Sequence, residues 1–418
     1  MGTGGGMAEP FGPEGLPLEQ ARDRILAALQ PLGGSETLSL AGCLGRVSAA
    51  PVLAKEAVPG FRASMMDGYA IGGEAIPAPG SRWALVGGSA PGAPYGGNLG
   101  PGQAIRILTG APVPEGSGKV LPQELVEIAG DGSLVLQRQS GANPWIRLPD
   151  EEAAPGEQLV AAGTRLGPAD LGRLASCGCN SLAVTRRPRL GLLISGDELL
   201  PPRVPRGPGQ IWESNGTLLE GLLQRLGYPV ARQQVVADQP DLLRQALEEL
   251  AQGCDVVVST GGVSVGDKDW IRPLVAELGS VNFWKLHLKP GRPFAWGQLA
   301  DKPFFGLPGN PVAAAITALQ LLWPALQLLE GGQVQLLPRL RVRLEAPLRR
   351  AGGRPELARA ELVMGPQGEL WARVSGSQAS SRIGSLQGAD LLLEIPAELD
   401  SLEAGQELWA QLLRLPIF

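Results

Sequence analysis

From Arg189 onward, the chain alternates apolar strand-like runs with amphipathic helical segments, and this alternation constrains the fold more than any other feature. The strand candidates are 190–195, 230–236, 255–259 and 281–288, and the helix candidates are 214–226, 240–252, 269–278 and 311–329. Strands that alternate with helices form a mostly parallel sheet covered on both faces. Ligands of such folds bind at the carboxyl ends of the strands. We therefore predict a doubly wound α/β domain over residues 187–331, with its site at that edge.

The rest of the 418-residue chain is too long for one core and predicts further domains. Residues 51–149 carry short apolar runs separated by Gly and Pro, which is typical of a β-rich module. Residues 16–50 and 150–186 are mixed and partly helical, so we predict one discontinuous domain into which the β-rich module is inserted. Residues 333–418 predict a small β-barrel-like domain, and the Gly-rich residues 1–15 predict a disordered tail.

Composition excludes several function classes. The net charge of −5 argues against a nucleic-acid binder. The sequence contains no run of 18 uncharged apolar residues, so we predict no membrane span. The four scattered cysteines and the lack of a recognisable export signal predict a reduced, cytoplasmic protein. The single histidine, His287, excludes a multi-histidine metal site. Catalysis must therefore depend on carboxylates, lysines, arginines, hydroxyls and backbone amides.

The segment DVVVSTGGVSVGDKD at 255–269 predicts an anion-binding cradle. A buried strand ends there, glycines let the backbone turn with its amides exposed, and a helix begins just after; such amides suit phosphate. No GK[ST] follows, so it is not a Walker P-loop. The alternative is a tight turn in which the glycines serve steric needs alone. The candidate binding residues are Ser259, Thr260, Gly261, Gly262, Ser264, Gly266 and Asp269.

The segment GLPGNPV at 306–312 predicts a second wall of the same pocket. Asn310 suits a helix N-cap and Pro311 the first helical turn, while Pro308 and Gly309 shape a loop whose amides can face an anion.

Between these two segments, the stretch around KPGRP carries Lys285, Lys289 and Arg292. Lys285 lies in the strand candidate 281–288 and Lys289 follows it directly, so alternation places both lysines on one strand face with His287. They predict a clamp for phosphate or molybdate; the alternative is a solvated edge strand.

Acidic residues follow two neighbouring strands. Asp197 and Glu198 come after the strand 190–195, and Asp238 comes after the next strand. Carboxylates are ligands that Mg²⁺ prefers, so these residues predict a metal or water site, although surface charge is the commoner reading of such a pair. Asp67 and Thr109 lie on turns of the β-rich module, so they take part only if the site is shared between modules or subunits.

Seven motifs occur in a fixed order: MDGYA, RILTGAPVPEG, SGDEL, GQIWESN, STGGVSVGDKD, WKLHLKPGRPF and GLPGNPV. With these motifs, and over nearly the whole chain after residue 15, the sequence resembles the molybdopterin molybdenumtransferase family, called MoeA in bacteria and the C-terminal part of gephyrin in animals. The resemblance implies an elongated four-domain homodimer. It would use adenylylated molybdopterin and molybdate with Mg²⁺, release AMP, and share each active site between subunits.

The resemblance also assigns roles to matching positions. It implies that Asp67, Thr109, Glu198 and Asp238 are catalytic, with the three carboxylates organising Mg²⁺ and water. It further implies that Lys285, Lys289 and Arg292 neutralise the anion, while Ser259–Gly266 and Pro308–Pro311 bind the pterin phosphate. The chain departs from the family at Met65, at Ile194-Ser195 and after Arg147.

Partners and alternatives follow from the same resemblance. A molybdopterin adenylyltransferase and molybdoenzyme apoproteins are the expected partners. One alternative function is the adenylyltransferase itself, which is usually a single small domain and so lacks the three extra modules. The other is a non-enzymatic, gephyrin-like scaffold.

Overall fold

The computed structural model describes residues 15–73, 76–262 and 269–414, and seven α-helices lie in these ranges. They are α1 (Leu18–Ala28), α2 (Pro168–Ser176), α3 (Asn215–Arg225), α4 (Pro240–Gly253), α5 (Ile271–Leu278), α6 (Pro311–Thr317) and α7 (Trp323–Glu330). Three short 3-10 helices add Leu40–Cys43, Gln123–Leu125 and Ile383–Leu386. A π-helical segment, Ala318–Leu322, joins α6 to α7. The predicted helix over 311–329 is therefore confirmed, with a wider turn in its middle.

The central domain is built on a six-stranded sheet. Its strands are β1 (Leu190–Ser195), β2 (Val230–Val236), β3 (Val256–Thr260), β4 (Gly279–Lys285), β5 (Pro293–Leu299) and β6 (Lys302–Leu307). The spatial order is β2-β1-β3-β6-β5-β4. The pairs from β2 to β6 are parallel, and only the β6-β5 and β5-β4 pairs are antiparallel. The mostly parallel, doubly wound sheet predicted from the sequence is confirmed.

The edge of this sheet differs from the prediction. The sequence predicts one strand over 281–288, whereas β4 ends at Lys285 and pairs with a further antiparallel strand, β5. The backbone after β4 leaves the sheet because its N–H groups donate to residues outside the sheet. His287 N donates to Leu16 O, and Lys289 N donates to Pro355 O. These bonds bring the loop after β4 against the C-terminal domain.

Helices cover both faces of the sheet. On one face, the apolar side chains of α3, α6 and α7 pack on β1, β3 and β6. On the other face, α4 and α5 pack on the same strands. Each fully buried Leu, Ile, Val or Phe contributes about 1.5–3 kcal/mol relative to exposure, so these two layers fix the strand ends in place.

One helix, Pro311–Glu330, is long and apolar enough to cross a membrane by length and composition. However, 94% of its most apolar 18-residue stretch is buried inside the protein, as expected for the core helix of a domain. Its apolar surface is therefore already covered by the fold.

The predicted β-rich module over 51–149 contains a six-stranded sheet and carries two apolar clusters of its own. In spatial order its strands are Ser117–Pro122, Gly68–Gly72, Gln103–Ile107, Arg82–Ser89, Leu134–Leu136 and Val126–Ile128. Three antiparallel pairs join segments before this sheet to segments after it: Ser35–Ser39 with Ser181–Thr185, Val52–Leu53 with Gln158–Val160, and Ala63–Ser64 with Ile146–Arg147. The segments on either side of the six-stranded sheet thus pair with each other.

The N-terminal helix departs from the predicted grouping of residues 16–50 with 150–186. Ala21 and Ile25 of α1, and Leu29 just after it, pack into the core of the central domain. The flanking module is instead built around residues such as Cys43, Leu174 and Val184. The apolar face of α1 is therefore buried against α7 and the π-helical segment.

The C-terminal domain is a closed five-stranded barrel, as the fold class predicted. Around the barrel the strands run Arg339–Leu344, Leu370–Arg373, Glu356–Met364, Leu391–Ile395 and Glu407–Leu412, and the short pair Leu348–Arg349 with Ser401–Leu402 lies beside them. Closure leaves the barrel without a free sheet edge.

Candidate active site

A cavity of about 870 Å³ opens at the carboxyl ends of β1, β3 and β6, next to the end of β2. It is lined by several of the predicted site residues, namely Glu198, Asp238, Thr260, Gly261, Gly262, Pro308, Gly309, Asn310 and Pro311. Residues far apart in the sequence meet here because parallel strands place their carboxyl ends at one edge.

The turn after β3 depends on two glycines. The φ angles of Gly261 and Gly262 are +90° and +63°, a backbone region that residues other than glycine rarely adopt. A Cβ on Gly262 would lie 2.5 Å from Cγ1 of Ile271, and one on Gly261 would lie 2.8 Å from the carbonyl oxygen of Ser195. The glycines are therefore required for steric reasons, and the same turn brings their backbone to the cavity wall.

Asn215, the first residue of α3, joins the two loops of the cavity. Its Nδ2 donates to Oγ1 of Thr260 at 2.8 Å and to the carbonyl oxygen of Gly309 at 2.7 Å. The Thr260 hydroxyl in turn donates to the carbonyl oxygen of Pro308 at 3.1 Å. The end of β3 and the loop before α6 are thus held together by three side-chain hydrogen bonds.

Asn310 occupies the N-cap position of α6 with Pro311 following, as predicted, but its side chain makes no cap hydrogen bond. Its Nδ2 instead donates to Oγ of Ser380 at 2.9 Å, and Val312 N donates to the carbonyl oxygen of Ser380. Capping was the wrong expectation for this side chain because a partner from the C-terminal domain competes for it. Ser380 and Ser381 complete the cavity wall.

The acidic residues cluster at the ends of β1 and β2. Burial raises the pKa of Asp238, the Ser195 hydroxyl lowers it, and the charges of Asp197 and Glu198 raise it further. The backbone N–H of Asp238 donates to Oδ1 of Asp197 at 3.0 Å, which fixes the two loops relative to each other. Glu198 and Asp238 both line the cavity.

These two carboxylates fit Mg²⁺, which is commonly bound through one or two carboxylates together with waters and substrate phosphates. The predicted trio Asp67, Glu198 and Asp238 is not assembled within one chain. Across residues 15–73, 76–262 and 269–414, no three acidic, histidine or cysteine side chains are grouped to hold a metal ion. The reason is that Asp67 belongs to the inserted module, away from the strand ends.

The predicted cation clamp is arranged differently from the expectation. Lys285, Lys289 and Arg292 are absent from the cavity wall, although Gly291 and Pro293 of the same loop line it. The Lys289 ammonium lies 3.1 Å from the buried Glu356 carboxylate of the C-terminal barrel.

The two lysines also do not share a strand face, because β4 ends at Lys285. Nζ of Lys285 lies 4.0 Å from the centre of the Trp284 ring. Lys289 is placed instead by backbone pairing with the barrel strand that begins at Glu356.

Four predicted binding residues remain. Ser259 is buried within β3 and lies outside the cavity wall, because alternate strand residues point to opposite faces and Thr260 takes the cavity side. Asp269 lies before α5 and is likewise outside the wall. Ser264 and Gly266 fall outside the described residues.

Asp67 and Thr109 form one unit on the inserted module. Oδ1 of Asp67 accepts hydrogen bonds from the backbone N–H and the hydroxyl of Thr109, each at 2.8 Å. These bonds lower the pKa of Asp67, so its carboxylate is charged at neutral pH. Both side chains are exposed. A neighbouring depression of about 260 Å³ includes Thr109, Met65 and Arg147.

Three family models match consecutive parts of the chain. They are the MoeA N-terminal region, domains I and II (residues 16–178), a probable molybdopterin binding domain (191–328) and the MoeA C-terminal region, domain IV (341–413). A molybdopterin molybdenumtransferase of Haemophilus influenzae is 32% identical over 94% of this chain and 97% of its own length. This chain belongs to the MoeA family.

Further relatives agree with that assignment. A molybdopterin molybdenumtransferase 2 of Mycobacterium tuberculosis is 30% identical over 93% of this chain and 98% of its own length. The crystal structure of a molybdopterin biosynthesis MoeA protein from Pyrococcus horikoshii OT3 superposes with a TM-score of 0.80 at 26% identity, covering 95% of this chain and 99% of that one. The MoeA fold therefore extends across all the modules described above.

The sequence reasoning missed several residues of this MoeA-family cavity, among them Arg206, Trp212, Asn215 and Ser380. The motif GQIWESN contains two of them and was recognised, but a tryptophan and an asparagine before a helix carry no local sign of a binding role. Arg206 and Ser380 reach the cavity only through the folding of separate loops.

Proposed function

We propose that this chain is a molybdopterin molybdenumtransferase, which hydrolyses the phosphoanhydride of adenylylated molybdopterin, inserts molybdenum from molybdate into the dithiolene, and releases AMP. One observation carries the proposal: in a member of the MoeA family, carboxylates and glycine-turn amides meet in one cavity at the strand ends. Phosphoanhydride cleavage depends chiefly on positioning and charge neutralisation, and this cavity supplies groups for both.

The residues divide the work by their chemistry. Glu198 and Asp238 would hold Mg²⁺, which would neutralise the phosphoanhydride oxygens when bound. The backbone N–H groups of Gly262 and Gly309 would hold the pterin phosphate, whereas that of Gly261 donates to the carbonyl oxygen of Leu307 and only shapes the turn.

We further propose that two copies of the chain share each active site. Asp67 and Thr109 are exposed and paired on a module that contributes nothing to the described wall of the strand-end cavity. A second copy would bring this carboxylate and hydroxyl to the cavity of the first. The adenylyltransferase that makes the substrate and apoproteins of molybdoenzymes are the proposed partners, in the cytoplasm.

The test is a defined reaction with purified full-length chain, adenylylated molybdopterin, Mg²⁺ and molybdate. We expect AMP release that depends on molybdate, and molybdenum that remains with the pterin after gel filtration, measured by elemental analysis. Glu198→Gln should abolish both, whereas Glu220→Gln, on the exposed side of α3, should change neither. Consumption of ATP would instead identify an adenylyltransferase, and no reaction with either substrate would favour a scaffold.

A further inference from the structure

The wall of the strand-end cavity contains one aromatic side chain and one cation among the described residues. These are Trp212 and Arg206. Both belong to the excursion between β1 and α3, where the short strand Leu199–Leu200 pairs in parallel with Ile211–Trp212. The loop and the second strand of this excursion therefore form part of the cavity wall.

The two side chains are stacked on each other. The guanidinium carbon of Arg206 lies 4.2 Å from the centre of the Trp212 ring. The indole N–H of Trp212 donates to the carbonyl oxygen of Val204 at 2.8 Å, which fixes the plane of the ring. Trp212 is nevertheless 46% exposed, so part of the ring remains accessible to a ligand.

Arg206 is also notable for its positive charge, because every other charged residue of the described cavity wall is acidic. The described cavity wall also carries three carboxylates, Glu198, Glu213 and Asp238. Within the described residues Arg206 makes no ion pair, and its side chain is exposed. A phosphorylated ligand that enters this acidic cavity meets one protein cation there, next to the one aromatic ring.

We propose that Trp212 is the stacking surface for a planar heteroaromatic ring of the substrate, and that Arg206 pairs with the phosphate beside that ring. This inference rests on the proposed function, whose substrate carries two such rings, a pterin and an adenine. Aromatic side chains bind heteroaromatic rings through the ring faces, and a stacked arginine adds a charge-assisted contact to phosphate.

The test measures binding to the full chain by calorimetry with three probes: AMP, a pterin monophosphate and ribose 5-phosphate. Trp212→Ala should weaken binding of one ring-bearing probe about tenfold, and the affected probe identifies the stacked ring. Trp212→Phe should retain most of that affinity. Binding of ribose 5-phosphate, which has no ring, should not change in Trp212→Ala. Arg206→Ala should weaken the stacked probe and ribose 5-phosphate alike.

A matched control comes from the barrel. Trp409 is 39% exposed, and its ring centre lies 4.7 Å and 4.5 Å from the guanidinium carbons of Arg339 and Arg341. It is therefore a comparably exposed tryptophan beside arginine that lies outside the strand-end cavity. Trp409→Ala should bind every probe like the wild type. Unchanged binding of both ring-bearing probes by Trp212→Ala, or an equal loss for ribose 5-phosphate, would overturn the stacking role.

The proposed function is judged separately by turnover. If the wild type releases AMP from its substrate while Trp212→Ala keeps full affinity for the probes, only the stacking proposal fails. If the wild type neither turns over nor binds any probe, both proposals fail.

Discussion

Asn215 donates its amide to the hydroxyl of Thr260 and to the carbonyl oxygen of Gly309, at 2.8 and 2.7 Å, and so uses both of its N–H groups inside the protein. It can therefore shape the cavity without donating a hydrogen bond to substrate. The two loops that it joins come from the ends of β3 and β6, and a Cβ on Gly309 would lie only 3.5 Å from Cα of Gly261. A small loss of this contact would separate the backbone groups that face the ligand.

Asn215→Asp tests this positioning role, because it keeps the size of the side chain and replaces its donor with a charged acceptor. The new carboxylate would face the carbonyl oxygen of Gly309. Leaving such groups unpaired costs about 1–3 kcal/mol, which corresponds to a loss of roughly tenfold to a hundredfold in kcat/KM. Steady-state AMP release measures the effect, and circular dichroism checks the fold. Asn180→Asp, on the exposed turn after α2, is the control and should keep wild-type turnover.

The strand-end positions were predictable and the distant partners were not. Thr260, Gly261 and Pro308–Pro311 follow apolar strands, and parallel topology alone places such residues at one edge. Lys289 shows the limit, because its partner Glu356 lies 67 residues away and no local pattern announces the pair. The antiparallel strand β5 was missed for a related reason. The Pro and Gly residues within 290–297 are typical of a loop, and the segment forms a strand because it pairs with β4 and β6.

Asp238→Asn should stabilise the protein while it removes activity. Burial and nearby acids raise the pKa of Asp238 in the fold, so its charged form is less favourable there than in the unfolded chain. The cost is fully present above the raised pKa, and it disappears as the pH falls below the ordinary aspartate value of about 4. We expect Asp238→Asn to be more stable than the wild type near pH 8, and we expect this difference to shrink as the pH falls towards 3.

Urea unfolding of both proteins across this pH range measures the difference. Asp241→Asn is the control, since Asp241 lies in the first turn of α4, where a carboxylate favours the helix, and its loss should lower stability slightly. A stability gain for Asp238→Asn that is independent of pH would show that burial of charge is not its cause.

Glu330 should be the most costly single carboxylate to neutralise. Its side chain is fully buried, and Oε2 accepts hydrogen bonds from Arg165 at 2.7 Å and from the Tyr228 hydroxyl at 2.8 Å. Arg46 and Arg187 also lie within 4.0 Å and 3.6 Å of Oε1. Glu330→Gln leaves the partly buried Arg165 and Arg187 without a counter-charge, while Arg46 keeps its pair with Glu36. We therefore expect a loss of about 3–5 kcal/mol in the free energy of unfolding.

Denaturant unfolding followed by intrinsic fluorescence checks this value. Glu407→Gln gives the matched comparison, because its pair with Arg343 is about half exposed on both sides and spans 3.4 Å. Exposed pairs of this kind contribute about 1 kcal/mol or less. Equal losses for the two variants would contradict the view that Glu330 holds the flanking module against the end of α7.

The proposal that two copies share each active site predicts complementation between two inactive chains. Asp67→Asn damages the group offered to the other subunit, and Glu198→Gln damages the cavity itself. A mixed dimer, isolated through two different affinity tags, contains one intact site and one doubly damaged site, so we expect about half of wild-type AMP release. Mixed dimers of Asp67→Asn with Thr109→Ala should stay inactive. Both changes affect the Asp67–Thr109 pair that each subunit offers to the other, so every site lacks one residue of this pair. If each site were built from a single chain, the first pairing would be as inactive as the second, since neither chain would hold a complete set of groups.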